Sequence, residues 1–119
     1  MVVVTTVGDE QQANEIAREL VARRHAACVN MLPGIRSCYR WQGKIVRDSE
    51  ILLMIKTTEE EYDHVAETIR ELHEYDTPEI LAFEIKKGDP AFLEWLHGSL
   101  DKNATDFDDE EDLLEPDNL

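Results

Sequence analysis

The sequence is short of cysteine, of positive charge and of long apolar runs, and each shortage closes a class of function. Two cysteines in 119 residues are too few for a disulfide framework. The spacing of Cys28 and Cys38 also fits no zinc pattern. On one continuous strand they would lie ~33 Å apart, beyond disulfide reach, whereas a tight turn at Pro33-Gly34 would let them approach. The expectation is a bulge or edge position at Pro33-Gly34 and two reduced, mostly buried thiols that are far apart and unbonded. Lysine and arginine total 12 against 27 aspartates and glutamates, for a net charge of −15. Such a surface repels a phosphate backbone, which argues against nucleic acid as a partner. The longest fully apolar run covers only 51–55, where a bilayer span needs ~18–20 residues, so no membrane partner is expected. There is no Gly-rich phosphate loop, no nucleophile elbow and no closely spaced His/Cys/carboxylate set, so the chain does not read as an enzyme. Residues 1–6, MVVVTT, show neither a basic n-region nor a small-residue cleavage site, and the expected location is cytoplasmic.

What the sequence has in quantity is acid. After Leu100 come nine carboxylates and a single Lys, a charge of −8, which leaves −7 on residues 1–100. The division is therefore a folded domain over 1–100 and an acidic C-terminal tail over 101–119. Loose carboxylates are poor cation sites without fixed geometry, and solvation is their ordinary role. An acidic surface with so few lysines also suits a high-salt cytoplasm, where screening relieves self-repulsion.

The pattern of the first 100 residues is β-α-β-β-α-β with an extra C-terminal helix. A β-branched run at 1–6 is a natural central strand. Asp9 is an N-cap, with Gln12 three residues on, for a helix over 10–24 whose apolar stripe is Ala13, Ile16, Ala17, Leu20 and Val21. Arg23, Arg24 and His25 follow at its negative end, where His25 reads as a capping or surface residue. Two runs of about 14 residues, 26–39 and 45–57, flank a polar reversal at Gly43; strands of ~5–6 residues are usual. Tyr39 and Trp41 share one face of this hairpin, and Ile51–Ile55 is apolar on both faces, needing cover on each. Thr58 and Glu61 have the spacing of a capping box for a helix carrying Tyr62, Val65, Ala66, Ile69, Leu72 and His73, and Pro78 ends it. A strand over 80–85 follows, then Asp89 capping Pro90 and a helix with Phe92, Trp95, Leu96 and Leu100 at helical spacing. This is the α+β, ferredoxin-like order, with two helices on one face of a four-stranded antiparallel sheet. The other face is not polar, and packing sheet against sheet in a symmetric homotrimer would cover it.

The residues singled out for chemistry are Tyr39, Trp41, Lys56, His73, Tyr75, Pro78 and Glu79. His73 and Glu79 flank a helix-to-strand junction and could share a cation or hold a proton; the plainer reading has His73 bonded to backbone. Lys56, ending an apolar strand, pairs with Glu79 or faces a ligand anion. Trp41 and Tyr39 read as packing or interface anchors.

Five ordered motifs carry a resemblance. They are AACVN at 26–30, S-x-Y-x-W-x-G-K-I at 37–45, E-x-x-L-M-I-K-T at 50–57, H-x-Y-x-x-P-E-I at 73–80 and F-L-x-W-L at 92–96. Together they make the chain similar to the CutA divalent-cation-tolerance family. The resemblance implies a tight homotrimer of ferredoxin-like subunits, assembled through the long hairpin and shaped like the PII signalling trimers. It implies tolerance of copper and other divalent metals, without an established reaction, and clefts between subunits lined by the aromatic and His/Pro/Glu motifs. Bacterial members have a proposed copper site whose positions match Thr5 and Leu72-His73 here, so only His73 keeps a metal-ligating side chain. The family's Pro between His and Tyr is Glu74. The expectation is weak binding of Cu²⁺ or another divalent cation at His73 and Glu79. The alternative is a PII-like trimer holding a small anionic ligand in its inter-subunit cleft near Lys56, Trp41 and Tyr75.

Overall fold

The computed structural model describes residues 1–104. Its elements run β1 (Val2–Val7), α1 (Glu10–Ala22), β2 (Cys28–Trp41), β3 (Lys44–Lys56), a 3-10 turn at Glu59–Glu61, α2 (Tyr62–Leu72), β4 (Leu81–Phe83) and α3 (Pro90–Ser99). The sheet order is β2-β3-β1-β4, with every neighbouring pair antiparallel. The acidic tail expected over 101–119 lies, from residue 105 onward, outside the described residues.

Alternation along the strands gives the sheet two faces. Val3, Thr5 and Val7 of β1 and Leu53 and Ile55 of β3 are buried beneath the helices. From α1 they receive Ala13, Ile16 and Leu20, and from α2 Val65 and Ile69, in one cluster. Each large aliphatic side chain buried there stabilises the fold by ~1.5–3 kcal/mol. Ala27, just ahead of β2, packs with Leu96 and Leu100 of α3 and its C-cap in a smaller cluster. By the same alternation the opposite face carries Val4, Leu52 and Met54, partly exposed, beside Leu32, Leu81 and Phe83 at 38%, 51% and 54% exposure. Those side chains keep part of their surface open in the described chain, with α3 reaching only the Lys56 end of the face through Phe92.

The hairpin is as long as its sequence suggests, and β1 supports only part of it. β1 pairs with Ile51 to Lys56, so from Ile35 and Glu50 outward β2 and β3 form a two-stranded ribbon. The ribbon turns at Gln42-Gly43, both with positive φ (49° and 77°), the backbone a tight hairpin turn needs. The register shifts between Leu32 and Ile35, where Gly34 sits at φ 78°, so Pro33-Gly34 is a bulge and not a turn. Cys28 and Cys38 therefore stay unbonded and well separated along β2, but they are not mostly buried: Cys38 is exposed and Cys28 half-buried.

Three local expectations change. β4 is three residues long instead of six, because Phe83 already pairs with Val2 at the start of β1 and later residues have no strand to pair with. Asp9 caps α1, accepting from the Gln12 N–H at 2.8 Å, but the Gln12 side chain leaves the cap and bonds the Leu72 carbonyl and the Glu74 N–H instead. Thr58 makes no side-chain cap bond, and the chain enters α2 through a 3-10 turn that frees the Glu61 carboxylate. Asp89 caps α3 as expected, accepting from the Phe92 N–H at 3.1 Å.

Candidate functional site

The ribbon, the end of β1 and the segment after α2 enclose a groove of about 630 Å³. Thr6, Ser37, Cys38, Tyr39, Trp41 and Glu50 line one wall, and Tyr75, Asp76, Thr77 and Glu79 the other. Thr6 pairs with Leu52, so by alternation the groove continues the open apolar face of the sheet.

His73 fixes the second wall. Leaving α2 in an extended conformation, it points its ring back toward β1, 9% exposed, with Nε2 2.7 Å from the Thr6 carbonyl. The Tyr75 N–H donates to Nδ1 at 3.0 Å. These partners define a tautomer with Nδ1 accepting and Nε2 donating, and both nitrogens are then in use. Tyr75, its ring 4.6 Å from that of His73, donates its hydroxyl to Glu50 Oε2 at 2.9 Å. Burial, followed by the bond to Glu50, holds the Tyr75 hydroxyl well above the ordinary tyrosine value, so it remains a donor. Glu50 is only 7% exposed. On the opposite wall Tyr39 donates to Asp48 Oδ2 at 2.7 Å across the hairpin, and that bond raises its own titration. Among the described residues, every charged side chain lining the groove (Glu50, Asp76 and Glu79) is a carboxylate.

Of the singled-out residues the structure brings Tyr39, Trp41, Tyr75 and Glu79 together. His73 stands behind them, bonded to backbone, and offers no nitrogen to an ion unless one of its bonds breaks. Pro78 is half-buried and does not line the groove. Lys56 is elsewhere: it ends β3 with Nζ 5.8 Å from the centre of the Phe92 ring, and it pairs with neither Glu79 nor the groove. Among the described residues, Lys56 therefore does not join Trp41 and Tyr75 at the groove, so one chain does not bring together the three groups expected around a small anion. Thr5, one of the positions matching the proposed copper site, is fully buried in the core.

A second constellation is not evident from the sequence pattern. Among the described residues, His25, Glu61 and His64 have ligand atoms within 4.8 Å of one another. The His25 and His64 rings stack at 5.0 Å, His64 Nδ1 is 3.2 Å from Glu61 Oε1, and Lys102 Nζ donates to the same oxygen at 2.9 Å. Burial alone would raise the Glu61 titration, but the bonds from Lys102 and His64 outweigh it and hold the carboxyl below its ordinary range. Desolvation, then the nearby Lys102 and His64, lowers that of His25. The Glu61-x-x-His64 spacing is the one legible signal, hidden because Glu61 also fits a capping box; His25 arrives from the far end of α1.

The chain matches the model of the CutA1 divalent ion tolerance protein family over residues 1–99. It is 47% identical to the divalent-cation tolerance protein CutA of Thermus thermophilus over 95 residues, 80% of this chain and 92% of that one. It is 45% identical to the mouse protein CutA over 92 residues, 77% of this chain but only 52% of the longer mouse protein. Its fold superposes on the crystal structure of CutA from Xylella fastidiosa with a TM-score of 0.82 at 40% identity, covering 84% of this chain and 96% of that one.

Proposed function

Because this chain belongs to the CutA1 divalent ion tolerance family, we propose that it serves in tolerance of divalent metal ions, copper among them, as a homotrimer that binds cations weakly. The strand order β4-β1-β3-β2 behind two helices supports a ferredoxin-like subunit. An open apolar sheet face and a ribbon carrying Trp41 at 55% and Ile45 at 67% exposure support assembly, since neither is stable against water alone. Three copies packed through these surfaces would bury Trp41 and turn each groove into a cleft between subunits. No helix among the described residues is long and apolar enough to cross a membrane, and we place the protein in the cytoplasm, where two cysteines without a disulfide between them are the ordinary case.

The observation that carries the cation reading is the all-carboxylate charge of the groove. Exposed carboxylates that can move attract divalent ions without caging them, which gives weak and unselective binding. In this reading Glu79 and Asp76 meet the ion, and His73 positions Tyr75 and through it Glu50. The reading assigns binding, with no reaction.

Calorimetric titration of Cu²⁺ and Zn²⁺ tests it, with H64A as the background so that the His25 cluster contributes little. The expected result is weak uptake that falls when Asp76→Asn and Glu79→Gln are added; uptake unchanged by both removes the groove as the site. Light scattering on the same samples should give three times the chain mass, and a monomer at micromolar concentration would overturn the assembly.

A further inference from the structure

We propose that His25, Glu61 and His64 form a binding site for a divalent transition-metal ion of the Zn²⁺, Ni²⁺ and Cu²⁺ class, with the ammonium of Lys102 as the cation that the metal displaces. The site is separate from the groove and does not depend on the reading of it. Its donor set is two imidazoles and one carboxylate, the combination that suits borderline transition metals; calcium and magnesium prefer oxygen ligands throughout.

The geometry is nearly assembled. The donor atoms lie within 4.8 Å of one another, and tetrahedral donors bound at ~2.0–2.2 Å stand about 3.3 Å apart. The remaining closure is within the reach of His64, whose side chain is 53% exposed and already 3.2 Å from Glu61 Oε1 through Nδ1. His25 is the fixed member. Arg24 takes a positive φ of 58° to end α1, and the His25 N–H then returns to the Leu20 carbonyl at 2.9 Å. The His25 carbonyl accepts from the Thr57 hydroxyl at 2.6 Å, which ties it to the segment just ahead of Glu61 and His64.

His25 also has the partner that metal-bound histidines ordinarily have. Its Nδ1 is 3.1 Å from Thr68 Oγ1, on a threonine that is 2% exposed. In the tautomer that donates from Nδ1, the threonine orients the ring and Nε2 carries the lone pair for a metal.

The carboxylate already holds a cation. Lys102 Nζ donates to Glu61 Oε1 and also to the Arg24 carbonyl. A divalent ion brings twice the charge and bonds to nitrogen as well, so it replaces the ammonium. Lys102 then leaves both partners, and metal binding is coupled to the segment after α3.

Titrating Ni²⁺ and Zn²⁺ into the full chain by calorimetry, with Cu²⁺ electron paramagnetic resonance alongside, tests the proposal. The expected result is one site per chain that is tighter than the weak uptake of the groove and whose affinity falls at least about tenfold in His64→Ala and in Glu61→Gln. The Cu²⁺ spectrum should show two imidazole nitrogens in the wild type and one in H64A. Lys102→Ala should bind about two- to fivefold tighter, because a surface ammonium no longer competes. Wild-type affinity in H64A, an unchanged nitrogen signature, or weaker binding by K102A would each overturn the proposal. So would an absence of Ni²⁺ and Zn²⁺ binding at millimolar concentration. Asp76→Asn and Glu79→Gln, which act on the groove, should leave this site unchanged.

Discussion

Glu50 is a carboxylate 7% exposed that, among the described residues, accepts its hydrogen bond from the phenol of Tyr75. Tyr75→Phe removes that donor with almost no change of shape, which leaves a buried acceptor short of a partner. The expected cost is ~1–3 kcal/mol in chemical denaturation. The same pair sets an alkaline signature. In the unfolded chain the Tyr75 phenol ionises near pH ~10, whereas in the fold burial and Glu50, with Asp48 and Tyr39 nearby, hold it protonated well above that. A folded-state value raised above the unfolded one gives stability that is complete below the unfolded value and is lost as pH rises past it. The difference in stability between wild type and Y75F should therefore be constant near neutrality and shrink above pH ~10. A gap that widens with pH would show that the hydroxyl is not held in its protonated form.

The long hairpin depends on one residue that breaks its pairing. Gly34 occupies φ +78°, yet a methyl group built there would meet no atom within 4 Å. Space and backbone strain thus give opposite predictions for a substitution. If strain decides, Gly34→Val should destabilise by ~1–2 kcal/mol and Gly34→Asn by less, since asparagine enters the left-handed region more readily. Equal stability of glycine, valine and asparagine would mean that the bulge relaxes at no cost. The bulge is legible in the sequence because Pro33-Gly34 cannot continue an ordinary ladder, and the helices are legible because their caps and apolar stripes lie within a few residues of one another. Long-range relations are not. The length of β4 depends on where β1 begins, a fact held some 80 residues away in sequence. Lys56 follows an apolar strand, which suggests the groove, but the register places it opposite Cys28 and beside the Phe92 ring of α3. His73 does belong to the junction that its motif marks, where both of its ring nitrogens bond to backbone groups. Its nitrogens fit groups that include a β1 carbonyl, which only the folded sheet supplies. The cluster of His25, Glu61 and His64 joins the end of one helix to the start of another, and no local window contains all three.

At the scale of the whole molecule the dominant quantity is charge, with 27 acidic residues against 12 basic. The described ion pairs do little to offset it. Arg23 reaches Glu71 at 2.8 Å and Lys102 reaches Glu61 at 2.9 Å, all four side chains at least partly in water. Exposed pairs of this kind contribute ~0–1 kcal/mol each and weaken as salt is added. Repulsion among the unmatched carboxylates acts over longer distances, and salt shortens its range from ~10 Å at 0.1 M to ~3 Å at 1 M. Assembly into a trimer would concentrate the same charge threefold around one axis, so screening should favour the assembled state more than the separate chain. The balance predicts a melting temperature that rises with KCl from dilute buffer to molar concentration, with the steepest change below ~0.3 M, where the screening length shortens fastest. The rise should be smaller in a variant with several exposed glutamates changed to glutamine, because it has less repulsion to relieve. Salt exclusion from apolar surface would raise both melting curves alike, so the difference between the two isolates the charge. A melting temperature that falls as KCl rises would show that attractive pairs, and not the excess of acid, govern the stability of this chain.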